Sequence, residues 1–99
     1  MNFVTTDNFK TEVLESEKTV LLDFYADWCG PCQMLSPILA EIEKERPDIK
    51  ICKVNTDKDP ALAIQFGINS IPALFVIKDG EIKGQSLGLR SKADILSML

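Results

Sequence analysis

Residues 28–32 read Trp28-Cys29-Gly30-Pro31-Cys32. Two cysteines separated by two residues at the start of a helix can close a small reversible disulfide. A helix N-terminus carries unpaired backbone N–H groups and the positive end of the macrodipole, and both favour the anionic form of the first thiol. The thiolate is the reacting species in thiol–disulfide exchange, so this placement makes Cys29 a nucleophile near neutral pH. Pro31 has no N–H to leave unpaired in the first turn, and it stiffens the link between the thiols. Trp28 adds a large apolar surface beside them.

The surrounding elements determine whether the cysteines stand where such chemistry works. Thr19 to Tyr25 is β-branched, aromatic and apolar, which reads as a strand. After the cysteines, Met34, Leu35, Ile38, Leu39 and Ile42 recur at helical spacing. The pair therefore sits at a strand-to-helix junction, the usual place for a site in an α/β sheet. The rest of the chain reads as follows. Asn2 to Thr5 is a short strand. Asp7 to Leu14 is a helix capped by Thr6 or Asp7, with Phe9, Val13 and Leu14 inward. The helix after the cysteines runs from about Gly30 to Arg46, kinked at Pro37 and ended by Pro47-Asp48. Ile49 to Val54 is a third strand. Asp59-Pro60 opens a short helix to Phe66, closed by Gly67. Ala73 to Ile77 and Glu81 to Leu87 make a hairpin around Asp79-Gly80. Ser91 caps a last helix with Ile95, Leu96 and Leu99 inward. The order βαβαβαββα predicts an α/β fold, a central mixed five-stranded sheet flanked by four helices, in a single domain over residues 1–99.

Composition narrows the chemistry. The chain has no histidine. A Cys–His nucleophile pair is therefore excluded, as are zinc sites that mix cysteine with histidine, and three cysteines cannot supply a four-cysteine site. Three cysteines also leave one over after the pair, which argues against a static disulfide framework and for a reducing compartment. A net charge of −4 argues against nucleic acid and anionic membranes as partners. No apolar run approaches a membrane span, and Met1 to Thr5 lacks the basic start and apolar stretch of a secretion signal, so a cytoplasmic protein is expected.

Beyond the cysteines, several residues read in more than one way. Asp23 is an acid inside an apolar strand, on the same face as Leu21 and Tyr25. It is either a buried base with a raised pKa or a strand residue facing solvent or capping a neighbour. Lys53, in the neighbouring strand, either pairs with Asp23 or faces water. Gly88 is either a site of close backbone approach or a turn glycine. Cys52, within Ile51-Cys52-Lys53-Val54, reads either as a core or half-buried small hydrophobe or as a regulatory thiol.

The chain resembles the thioredoxin family over essentially its whole length. The residues that carry the likeness are Asp23-Phe24, Ala26, Trp28-Cys29-Gly30-Pro31-Cys32, Pro37, Lys53, Ser70-Ile71-Pro72 and Gly88. The resemblance implies the thioredoxin fold and a protein-disulfide reductase that carries electrons. Cys29 attacks a client disulfide, and Cys32 resolves the mixed disulfide. Cys32, one turn into the helix, is expected to be less exposed and less acidic than Cys29. Asp23 assists Cys32 through water, with Lys53 tuning its protonation. Pro72 is implied to be a cis-proline opposite the cysteines, although sequence alone favours trans. Trp28, Gly30, Pro31, Ile71, Pro72 and Gly88 would form a flat apolar collar, with the Ile71 backbone free to pair with an extended client.

The resemblance further implies that no cofactor is bound. Reducing equivalents come from NADPH through a flavin-containing thioredoxin reductase. Disulfide-containing proteins are the clients, and the chain acts as a monomer. A thiol oxidase or isomerase is the alternative within this chemistry. Its relatives more often carry Cys-x-His-Cys, which Gly30-Pro31 opposes. A binding or scaffold module that works without redox turnover is the alternative of another class. Tyr25 stands where many members have tryptophan, and Gln33 where many have lysine or arginine. Ser36 and Asn69 also vary near the collar.

Overall fold

The run Thr19–Tyr25 is apolar on both sides of its alternation, so both of its faces must be covered. The computed structural model describes residues 1–99 and meets that demand by placing this strand at the centre of the sheet. The chain runs β1 (Asn2–Phe3), a helical turn (Lys10–Leu14), β2 (Thr19–Tyr25), α1 (Gly30–Glu45) and β3 (Ile49–Asn55). It continues through α2 (Pro60–Gln65), β4 (Ala73–Lys78), β5 (Glu81–Leu87) and α3 (Lys92–Met98). The five strands lie in the order β1-β3-β2-β4-β5. β3 is parallel to β1 and β2, whereas β4 is antiparallel to β2 and β5. This is the mixed sheet of the thioredoxin fold.

Alternation along the strands builds two apolar layers. Val20, Leu22, Phe24, Cys52, Val54, Ala73, Phe75 and Ile77 face one way, packed by Phe9, Val13, Leu62 and Phe66. Leu21, Ile49, Ile51, Leu74 and Val76 face the other way, against Leu35, Leu39 and Ile42 of α1 and Ile95 of α3. Asp23 and Lys53 are opposite each other in the β2–β3 register, and both are buried. The sheet thus sets an acid and a base side by side at the end of its α1-facing layer.

Turn chemistry closes the elements as their residues require. Asp79 and Gly80 both take positive φ, 53° and 77°, as a two-residue hairpin turn needs. Gly67, at φ 66°, ends α2. Asp59 caps α2 by accepting the Leu62 N–H, and Ser91 caps α3 by accepting the Asp94 N–H. α1 continues through Pro37, which withdraws one N–H from the ladder.

The first helix differs from its sequence reading. Only Lys10–Leu14 is helical, and it is wound wide, with the Glu15 N–H donating to the Lys10 carbonyl. Neither Thr6 nor Asp7 caps it. The Thr6 amide and hydroxyl are both committed to Asp59, and Asn8 accepts the Thr5 N–H instead. The wide turn also rotates Leu14 off the Phe9–Val13 face. Phe9 and Val13 are buried, while Leu14 is 40% exposed.

Candidate active site

The corner after β2 builds the dithiol. The Cys29 N–H donates to the Ala26 carbonyl at 3.2 Å, and α1 opens at Gly30 with Pro31 in its first turn. Cys29 is extended at φ −85° and ψ 108°, and its Sγ accepts the Cys32 N–H at 3.2 Å. The sulfur of Cys29 therefore does the work of a capping oxygen, and the positive end of α1 falls on it. Cys29 and Cys32 are joined as a disulfide with Cα atoms 5.2 Å apart. The expected contrast in exposure between them is absent, since Cys29 is 4% and Cys32 5% exposed. Both pack in one small cluster with Ala26, against Tyr25 and Ile71, so the first thiol is covered as fully as the second.

The segment before β4 faces the bridge. Cys29 Sγ lies 3.9 Å from the Ile71 carbonyl oxygen, and the Ile71–Pro72 peptide bond is cis. The Gly88 N–H donates to the Pro72 carbonyl at 2.8 Å, and Gly88 has φ 81°. Gly88 is thus a turn glycine beside Pro72. A Cβ there would meet nothing within 4 Å, so in the free chain its backbone angle, not crowding, calls for glycine. A groove of about 180 Å³ runs past Trp28, Ile68, Asn69, Ser70 and Ile71.

Trp28 is 70% exposed but anchored, its indole N–H donating to Asp57 at 2.8 Å. Asn55 holds that acceptor by taking the N–H groups of Asp57 and Lys58 on its side-chain oxygen. Sequence reasoning missed Asp57. The available signal was the parallel pairing of β2 with β3, which ends at Tyr25 and Asn55 and sends both following loops out of one edge.

Behind the dithiol lies a buried charge cluster. Asp23 is 1% exposed, and burial pushes its carboxyl up to about 6, with Lys53 pulling the other way. Lys53 Nζ is 3.8 Å from Asp23 Oδ2, and no protein group donates to Oδ1. The same ammonium lies 3.5 Å from Ser36 Oγ and 4.5 Å from the centre of the Tyr25 ring. A cleft of about 210 Å³ is lined by Tyr25, Asp27, Cys32, Gln33, Ser36 and Lys53, so Cys32 and Lys53 border one space. Of the two readings of each residue, Asp23 is the buried acid and Lys53 its partner.

Other residues stand apart. Cys52 is fully buried in the layer opposite α1, and burial pushes its thiol up to about 11, which keeps it protonated. Met34, on the helical pattern, does not join the core and is 61% exposed. No cluster of three or more Cys, Asp or Glu side chains is arranged to hold a metal ion. No helix is long and apolar enough to cross a membrane.

Comparison with known proteins agrees with this geometry. The family model described as Thioredoxin matches residues 1–99. The chain is 46% identical over 99 residues to a thioredoxin of Rickettsia felis, covering 99% of this chain and 94% of that one. It is 46% identical over 97 residues to thioredoxin 1 of Synechococcus elongatus, covering 97% and 91%. It is 45% identical over 93 residues to a thioredoxin of Streptomyces clavuligerus, covering 94% and 87%. A match that runs from the first residue to the last, around a bridged Cys-x-x-Cys at a strand-to-helix corner, means that the chain belongs to the thioredoxin family.

Proposed function

We propose that this thiol–disulfide oxidoreductase works in the reducing direction, as an electron donor to disulfides of other proteins. Family membership and the bridged pair make thiol–disulfide exchange its chemistry and disulfides its substrates. The observation that carries the role assignment is Cys29 Sγ at the head of α1, accepting the Cys32 N–H. An N–H that binds sulfur there favours the thiolate, so Cys29 is the attacking group. It displaces one sulfur of the client disulfide and forms a mixed disulfide. Cys32 then loses its proton to the Asp23 carboxylate, through water in the cleft. Its thiolate attacks Cys29, the bond from Cys29 to the client breaks, and the electron pair leaves on the client sulfur, which takes up a proton. The client gains two electrons, and Cys29–Cys32 is oxidised.

Lys53 modulates Asp23 in this reading. Trp28, Gly30, Pro31, Ile71, Pro72 and Gly88 receive the client, whose extended backbone pairs along Ile71 beside the 180 Å³ groove. A flavin-containing thioredoxin reductase, supplied by NADPH, restores the dithiol. The protein acts as a cytoplasmic monomer in electron transport and thiol homeostasis, without nucleic acid or membrane as partner.

The deciding experiment is the equilibrium potential of Cys29–Cys32, read by thiol trapping in defined redox buffers. Each tenfold step in the equilibrium is about 30 mV for a two-electron couple. A potential clearly more reducing than the glutathione pool is expected. A value at or above that pool overturns the direction and leaves an oxidant, an isomerase or a binding module. For the roles, Cys32→Ser is expected to accumulate client joined to Cys29. Cys29→Ser is expected to capture none.

A further inference from the structure

Lys53 is the one buried cation in the protein. A lysine ammonium is strongly hydrated, and its flexible stem normally carries it to water. Lys53 has room to leave. The cleft with Cys32, Gln33 and Ser36 lies on one side, and on the other a cleft of about 340 Å³ is lined by Phe3, Tyr25, Asn55 and Lys58. Asp23 alone does not clamp it, because 3.8 Å is longer than a charge-assisted hydrogen bond. Two further groups complete the cradle. The Tyr25 ring presents its face at 4.5 Å, a cation–π distance, and Phe3 packs against that ring in a T-shaped pair with centroids 6.4 Å apart. Ser36, one helical turn after Cys32 and on the same side of α1, offers its hydroxyl at 3.5 Å.

We propose that Tyr25 and Ser36 are positioning residues that hold the Lys53 ammonium beside Asp23 and so set the pH range in which Cys32 gives up its proton. The inference rests on the reading of Asp23 as the base for Cys32. The titratable groups at Asp23 and in the two clefts beside Lys53 are few: Lys53 itself from β3, Tyr25 from β2, Cys32 from α1, and Asp27, Lys58 and Asp59 from the loops. β4 presents Leu74, which is apolar. Only Lys53 among these makes an ion pair with Asp23. Releasing it to water removes the counter-charge, so Asp23 holds its proton to higher pH.

The test is carboxyl-carbon NMR titration of Asp23 in the reduced protein. Tyr25→Leu, which keeps apolar bulk but no ring face, is expected to raise the Asp23 midpoint by roughly half a pH unit, about threefold in proton affinity. Ser36→Ala, a change that helices tolerate, is expected to move it the same way by less. Tyr25→Phe keeps the ring and is expected to leave it in place. On a Lys53→Met background neither Tyr25→Leu nor Ser36→Ala should move it further. Equal shifts with and without Lys53, or no shift when Lys53 is present, overturn the proposal. The pH profile of mixed-disulfide resolution separates it from its premise. A midpoint that moves while the profile stays put upholds the positioning and removes Asp23 as the base for Cys32.

Discussion

Asp23 is a carboxyl that the fold would rather keep protonated. Burial sets its folded midpoint near 6, against 3.8 for an ordinary aspartate. Between those values the folded state binds more protons than the unfolded chain, so stability falls as pH rises. Above about 6 the cost is complete, about 3 kcal/mol. Asp23→Asn should abolish that slope, and denaturant midpoints of both proteins from pH 4 to 8 measure it. Parallel curves would mean that Asp23 is not held in this state. Gln33→Lys places a cation beside Cys32 and is expected to lower the thiol midpoints slightly, which thiol titration reads. An acid inside an apolar run already signalled the strain at Asp23. The fate of Lys53 was illegible, because an alternating strand fits either face and only the register with β2 decides. The equal cover of Cys29 and Cys32 comes from Ile71, some forty residues away, and no local pattern reports it.

α2 shows how a short element is held by a distant one. Asp59 accepts the Leu62 N–H at 3.2 Å and also the amide and hydroxyl of Thr6. Burial would raise its carboxyl, but the Thr6 and Leu62 donors outweigh that and hold it below the usual carboxylate range. Its stabilisation is therefore complete above the unfolded value and is lost as pH falls through the lower folded one. Asp59→Ala removes the cap and the tether together. An expected loss of about 1–2 kcal/mol at neutral pH is readable by urea unfolding. Thr6→Val should lose part of it. The same tether explains why the first helix was misread. Thr6 was a plausible cap by type, but its bonds go to a residue 53 positions on. β2, the hairpin and the α3 cap were legible because their signals are local: an apolar run, Asp79-Gly80 and Ser91. At Gly80, φ is positive and a Cβ would lie 3.3 Å from the Leu14 carbonyl oxygen, so alanine there is strained in its backbone and tightly packed. Gly80→Ala is expected to cost about 1–2 kcal/mol by the same assay.

Across the molecule, both the chemistry and the core depend on one sheet. β2 and β3 end, and β4 begins, at the same edge, which brings Cys29, Asp57 and Pro72 to one surface from three loops. Beneath it, Phe24, Phe66 and Phe75 pack with ring centroids 5.0–5.7 Å apart, and Phe9 makes a T-shaped pair with Phe66. Phe24 is fully buried within this cluster, in contact with both Phe66 and Phe75. Phe24→Ala is expected to lose about 3–5 kcal/mol, read by thermal or denaturant unfolding. A loss under about 1 kcal/mol would mean that the layer collapses into the gap. Fold class was legible at this level because strand and helix periods alternate along the chain. The cleft shared by Cys32, Ser36 and Lys53 was not, since it exists only once α1 lies across β2 and β3.

The single tryptophan, at position 28, is pinned by Asp57 and stands next to the bridged Cys29. A disulfide quenches the emission of an adjacent indole far more than a pair of thiols does. The protein therefore carries its own optical reporter, with no second indole to dilute the signal. Emission should climb as the bridge opens and fall as it closes. A stopped-flow trace of unlabelled protein would then time the passage of electrons to a client, turnover by turnover.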